Sequence, residues 1–225
     1  MDNAQSGNGT LVLASKSPRR RELLEAVGRE ATVIPIGVDE APLPGEPAEA
    51  VVRRLSLAKA RQAAAVSPGL ALGADTIVVE GDRLLGKPGD TEQAKRMLES
   101  LAGRNHRVLT AVALVDNRTG GEVVEVCETE VPMRAYGGQE IEAYIASGAP
   151  FDKAGGYGIQ DDGFRPVALE RLQGCYANVM GLPLCHLARA LRRLGENLPV
   201  AVPEACRLHT GYDCRIYPSI LEAEA

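Results

Sequence analysis

The chain has 225 residues, 45% hydrophobic and 24% charged, with no Trp, enough material for one large core or two small ones. Its net charge of −5 argues against a general nucleic-acid or anionic-membrane surface, and no apolar run approaches the length that spans a bilayer. Five cysteines, an odd number without a CxxC pair, fit free thiols in a reducing cytosol.

Residues 1–10 are polar, lack the hydrophobic segment of a signal peptide, and are expected to form a disordered lead-in. Leu11, Val12 and Leu13 then read as a short buried strand. Ser17 suits a helix N-cap and Pro18 the first helical position. Leu23, Leu24 and Val27 form an apolar stripe at helical spacing, and Gly28 can close the helix. Arg19, Arg20 and Arg21 crowd the first turn of this helix, where the dipole is already positive. Such an arrangement is either a solvated basic turn or a cradle for an anion, and loop, helix N-terminus and guanidiniums together favour a phosphate.

A second strand is expected over Ala31–Ile36, followed by a loop holding Asp39 and Glu40. Pro47 opens a long helix reaching about Val66. Lys59 lies at the edge of its apolar stripe of Val51, Val52, Leu55 and Ala58, where a lysine either snorkels to water or points into a site. Leu70–Val79 reads as a buried strand with Asp75 and Thr76 in its middle. A carboxylate there is costly unless a cation, a metal or hydrogen bonds compensate it. The alternative is an Asp at a strand end bonded to backbone N–H groups. A tight turn and the strand Arg83–Leu85 form a hairpin that delivers Lys87. Thr91–Leu101 is an amphipathic helix, Arg107–Val115 and Glu122–Met133 are strands of a second hairpin, and Gln139–Ala146 is a short helix.

Ala149–Gln160 carries Gly155, Gly156 and Gly158, which allow close backbone approach to a ligand, with Asp152, Lys153 and Gln160 around them. The spacing matches neither a P-loop nor a dinucleotide fingerprint. Ala168–Leu172 is expected as a strand, and a last clear helix runs to about Leu194. The tail, residues 195–225, lacks strong periodicity and reads as a loosely packed appendage or a partner contact. Its Cys206, His209 and Cys214 fall one ligand short of a zinc set.

Three stretches now combine: A-S-x-S-P-R-R at Ala14–Arg20, G-A-D-T at Gly73–Thr76, and D-K-A-G-x-Y-G-I-Q at Asp152–Gln160. Lys59 in A-K-A, Lys87 in G-K-P and G-x-Y-x-N-V-x-G-L-P at Gly174–Pro183 join them. This set resembles the Maf family of nucleoside triphosphate pyrophosphatases over about Leu11–Leu194. Arg19, Thr76 and Gln160 are similar to markers of the branch that hydrolyses dTTP and UTP rather than 7-methyl-GTP. The resemblance implies an α/β fold with an elongated mixed sheet flanked by helices and two lobes around a central cleft. It also implies a divalent-metal requirement, a homodimer and a cytoplasmic location. Cys175 stands where many relatives have Ser, and residues 195–225 form an extension beyond the family's usual length.

On that resemblance, Ser15, Ser17, Arg19, Arg20, Lys59, Lys87 and Lys153 would bind the triphosphate. Asp75 would be the general base or hold a Mg²⁺ or Mn²⁺ ion with Glu40, Asp39 being the rival carboxylate. Thr76 and Gln160, with Arg19, would set base specificity. The chemistry expected is hydrolysis of a nucleoside triphosphate to the monophosphate and pyrophosphate. The alternatives are action on modified nucleotides, or a non-catalytic nucleotide sensor linked to cell division through a partner.

Overall fold

The computed structural model describes residues 10–222, and the expected disordered lead-in therefore lies, but for its last residue, outside the described residues. Six strands make one mixed sheet: β1 (Leu11–Leu13), β2 (Thr32–Val33), β3 (Leu70–Glu80), β4 (Arg83–Leu85), β5 (Asn105–Asp116) and β6 (Gly121–Pro132). Their order is β2-β1-β3-β5-β6, with β4 added to β3. β1 runs parallel to β2 and β3, while β4, β5 and β6 join by antiparallel pairing.

One feature of this sheet makes the site. On one edge, β3 pairs with β1 over Leu70, Ala71 and Leu72, and with β4 over Val78, Val79 and Glu80. Gly73 to Ile77 between them have no strand partner on that edge among the described residues, although the other edge pairs continuously with β5. The sheet is notched there, and Asp75 and Thr76 sit in the notch.

Helices cover both faces. The long helix α2 follows α1 (Pro18–Ala26) and spans Ala48–Val66. Its Val51, Val52 and Leu55 pack on Ile77, Val79, Leu109 and Ala111. The opposite face, through Ala74, Val78, Val108 and Val112, joins the main core. That core includes α1 and side chains from α3 (Thr91–Leu101), α4 (Gly138–Ala146), α5 (Tyr176–Met180) and α6 (Leu184–Arg193). Gly73 allows the α2 side of this sandwich to close. A Cβ at Gly73 would lie 2.1 Å from the Ser56 carbonyl oxygen and 2.7 Å from the Ala60 nitrogen, so only glycine lets α2 approach this closely.

Three expectations need correction. The strand over Ala31–Ile36 shrinks to Thr32–Val33, because its partner β1 is only three residues long and Pro35 cannot donate to a ladder. Ala168–Leu172 is not a strand. After a single bridge from Val167 to Met133, the chain turns through a 3₁₀ helix at Leu169–Arg171. The tail is packed rather than loose. It forms α7 (Val202–Thr210) and α8 (Tyr217–Leu221), which bury Val202 and Ile220. Arg189 and Arg192 of α6 donate to the Ile220 and Leu221 carbonyls, and the Tyr212 ring stacks on Tyr176. Among the described residues, no helix is long and apolar enough to cross a membrane.

Candidate active site

Strand alternation divides the work of two neighbouring residues. Asp75 shares its face with Ile77 and Val79 and points toward α2. Its Oδ1 accepts a 2.7 Å hydrogen bond from Lys59 Nζ. The same ammonium bonds Glu40 Oε1 at 2.6 Å. Lys59 and Asp75 are both buried, at 6% and 8% exposure, so the lysine does not snorkel to water. Asp75 Oδ2 and Glu40 Oε2 accept no hydrogen bond from the described residues.

The two carboxylates on this lysine are pushed apart electrostatically. Burial raises Asp75 above the ordinary carboxylate range and outweighs the pull of Lys59. At the more exposed Glu40, burial also opposes ionisation, but the Lys59 bond, with Lys87 and Arg20 nearby, holds it below that range. Environments that separate paired carboxyl groups in this way suit different proton-handling roles.

Thr76 points the other way, toward α1 and α5. The α1 N-terminus brings Arg20 across the notch. Its guanidinium donates through Nε to the Gly181 carbonyl at 2.8 Å, through Nη1 to Ser15 Oγ at 3.0 Å and through Nη2 to Thr76 Oγ1 at 3.1 Å. Burial lowers the Arg20 pKa, Asp75 opposing it and Arg19 reinforcing it. A desolvated guanidinium held by neutral oxygens is well placed to gain from an incoming anion. Arg19 reaches the glycine-rich loop instead, with Nη1 2.6 Å from Asp152 Oδ2 and Nη2 donating to the Asp152 carbonyl at 3.1 Å. Ser17 occupies the N-cap position, yet its side chain makes no capping bond.

Every residue given a binding, catalytic or metal role above lines one cleft of about 580 Å³, except the rival carboxylate Asp39. Arg21, the third arginine of the basic first turn, does not line it and pairs with Glu25 on the exposed side of α1. The Asp39 carboxylate instead accepts from the Ala41 N–H, which leaves Glu40 as the second carboxylate of the site. Lys87 is exposed at the cleft mouth. Lys153 lines the cleft, but its ammonium bonds the Ala149 carbonyl at 2.6 Å and Asp152 Oδ1 at 2.9 Å, bracing the loop. Gln160 presents a buried Oε1 with no hydrogen-bond partner among the described residues. Gly155, at φ 69°, packs its loop onto Val78 of β3, where a Cβ would lie 2.9 Å from Val78 Cγ2.

Sequence reasoning missed two residues behind Thr76. Thr110 stands directly opposite it on β5, and the two hydroxyl oxygens are 2.9 Å apart. Thr110 Oγ1 donates to the Asn178 carbonyl of α5 at 3.0 Å. Cys175 caps α5, its Sγ accepting from the Asn178 N–H at 3.3 Å, so a thiol serves where many relatives are expected to have a Ser hydroxyl.

The donor set can be tested against a divalent ion. The open oxygens of Asp75 and Glu40 are hard donors facing one cleft, as Mg²⁺ or Mn²⁺ prefers. Among the described residues, no group of three His, Cys, Asp or Glu side chains could hold a metal, in the tail or elsewhere. A bound ion would therefore take its remaining ligands from phosphate oxygens and water, a common Mg²⁺ arrangement.

A family model described as Maf-like protein matches residues 10–194. The chain is a Maf-like protein. Curated relatives agree over nearly their whole length. A protein of Citrifermentans bemidjiense named dTTP/UTP pyrophosphatase is 47% identical over 189 residues, covering 84% of this chain and 97% of that one. A Thermomicrobium roseum protein of the same name is 49% identical over 198 residues, covering 87% and 88%. Among solved structures, a HAM1 protein from Coxiella burnetii aligns with 55% of this Maf-like protein and 72% of its own chain, at a TM-score of 0.41 and 19% identity.

Proposed function

We propose that this Maf-like protein hydrolyses dTTP and UTP to the monophosphate and pyrophosphate. Asp75 carries the reading: a buried carboxylate with one oxygen fixed by Lys59 and the other open to a cleft lined by Arg19, Arg20 and Lys87. A site that only bound triphosphate would gain nothing from a buried carboxylate beside it. The relatives named dTTP/UTP pyrophosphatase support the substrate.

In the reaction, water attacks the α-phosphorus, the bond from that phosphorus to the bridging oxygen breaks, and pyrophosphate leaves. Asp75 Oδ2 takes the proton of the attacking water. Arg19, Arg20 and Lys87 neutralise the triphosphate, Ser15 and Ser17 add neutral donors, and Lys153 braces the glycine-rich loop that lines the cleft. Glu40 would hold the divalent ion, Mg²⁺ or Mn²⁺, which would screen phosphate charge and activate water; Asp75 Oδ2 would join it as a ligand only in place of taking the proton. Thr76 and Gln160 face the base edge. The family resemblance supports a homodimer in the cytoplasm.

The test is pyrophosphate release from dTTP, UTP, CTP, GTP and 7-methyl-GTP, with and without Mg²⁺ or Mn²⁺. Release from dTTP and UTP with monophosphate as co-product is expected. Release from 7-methyl-GTP alone would move the protein to the other branch of the family, and binding without release would make it a sensor.

A further inference from the structure

Uracil and cytosine differ along the edge that a protein reads. Uracil and thymine present a ring N3–H flanked by carbonyls, whereas cytosine presents a bare N3 lone pair beside an amino group. Gln160 alone cannot separate them. Its amide can turn by half a rotation and offer either its oxygen or its NH₂, so it suits the carbonyl or the amino group equally. A freely rotating hydroxyl has the same weakness. Discrimination needs a polar atom whose direction is locked.

Thr76 is locked. Three oxygens stand in line: Thr76 Oγ1, Thr110 Oγ1 at 2.9 Å, and the Asn178 carbonyl at 3.0 Å from Thr110. The carbonyl cannot donate, and each hydroxyl carries one proton. Both short contacts are satisfied only if Thr110 donates to the carbonyl and Thr76 donates to Thr110. The reverse arrangement leaves lone pairs facing each other across the 3.0 Å between Thr110 and the carbonyl. At its other side Thr76 Oγ1 accepts from Arg20 Nη2 at 3.1 Å. The hydroxyl is thus left with one lone pair and no proton for the cleft that it lines.

The frame holding the line is rigid. Thr110 and Asn178 are fully buried. Asn178 Nδ2 donates to the Val108 carbonyl and to Thr129 Oγ1, both at 2.9 Å, and ties α5 to β5 and β6.

We propose that Thr110, backed by the Asn178 carbonyl, is the positioning residue that makes Thr76 an obligate acceptor, and so selects uracil- and thymine-type nucleotides over cytosine nucleotides. The N3–H of uracil or thymine meets the open lone pair of Thr76, while the N3 lone pair of cytosine is repelled by it. This rests on the assignment of Thr76 to the base edge made above.

The experiment compares kcat/KM for UTP and CTP in the full-length protein and three variants. Thr110→Val keeps the shape but frees the Thr76 proton. The Asn178 carbonyl retains its bond from the Gly181 N–H at 2.9 Å, so little stability is lost. CTP should gain about tenfold relative to UTP, the scale of one hydrogen bond, mainly through a lower KM for CTP. Thr110→Ser restores the hydroxyl and should restore the preference. An unchanged ratio in Thr110→Val, together with a changed ratio in Thr76→Val, would overturn the proposal and leave the base-edge assignment standing. An unchanged ratio in Thr76→Val would remove that assignment, and the proposal with it. A second measurement needs no variant. In 3-deaza-CTP a C–H replaces the N3 lone pair, and the unaltered protein should use it about tenfold better than CTP. Equal use of the two would overturn the proposal even if Thr110→Val failed to fold.

Discussion

Asp75 and Asn have the same shape, so Asp75→Asn keeps a carbonyl oxygen for Lys59 while removing the proton acceptor. Turnover should fall by at least about a hundredfold, the scale of lost acid–base catalysis, with KM near that of the parent. Near-normal pyrophosphate release would take Asp75 out of the reaction. Arg20 is a different case because its fork serves three acceptors at once. Arg20→Lys keeps the charge and loses the fork, so KM should rise about tenfold or more, with the fold intact by melting temperature. A parental KM in that variant would show that charge alone suffices there. These two side chains differ in how they announce themselves. Asp75 is legible because a carboxylate inside an apolar run is costly and demands a partner, and the basic first turn exposes Arg20 by conflict with the helix dipole. Thr110 is not legible. A threonine in a strand such as RVLTAVALV looks like β-filler, and its place opposite Thr76 depends on a register between strands that are not consecutive in the chain.

The same limit operates between elements. The G-A-D-T segment draws attention through its carboxylate, whereas its glycine sets the distance between β3 and α2 and thereby the reach of Lys59 to Asp75. Gly73→Ala places a methyl group against the backbone of Ser56 and Ala60, which no side-chain rotation relieves. Overpacking of this kind costs about 1–3 kcal/mol. Denaturant unfolding should show that loss, and activity should fall further than stability as α2 shifts and the Lys59 pair lengthens. A variant with parental stability and turnover would mean that α2 can retreat freely. The notch at Gly73–Ile77 is likewise invisible from sequence, since it exists only because the parallel β1 and the antiparallel β4 both end before they reach that stretch of β3. Long elements such as α2, β3, β5 and β6 carry enough residues for their periodicity to be read. The nine- and five-residue helices of the tail do not, although Pro203 near the start of α7 and Gly211 at its left-handed end (φ 67°) mark the boundaries.

Taken whole, the molecule stores an acid sensitivity outside the carboxylates of the cleft. His106 on β5 bonds the Tyr157 hydroxyl through Nε2, and His186 lies within α6. Both are buried, and neither Nδ1 has a hydrogen-bond partner among the described residues. Burial depresses each pKa to about 4, and at His186 the nearby Arg189 adds to the effect while Glu125 opposes it. An unfolded histidine titrates near 6.5, so below that pH the unfolded chain binds protons that the folded chain refuses. The stability that each neutral histidine preserves is therefore complete above about pH 6.5 and is lost as pH falls toward 4. At pH 5 the loss is roughly 2 kcal/mol per histidine, from 1.36 kcal/mol per pKa unit. Asp75, with its raised pKa, acts in the opposite sense, because the folded state binds its proton more readily than the unfolded chain does. The window from pH 7 to 5 lies mostly above the range where ordinary carboxylates titrate, so the histidines dominate it, with the raised Asp75 opposing them. Urea midpoints should fall steadily across it. His186→Leu, which keeps a buried side chain there without a titrating ring, should remove about half of that slope while leaving stability at pH 7 near that of the parent. A variant slope equal to that of the parent would show that His186 gains its proton without cost, through the Glu125 carboxylate that its own helix holds with Arg189 and Arg193.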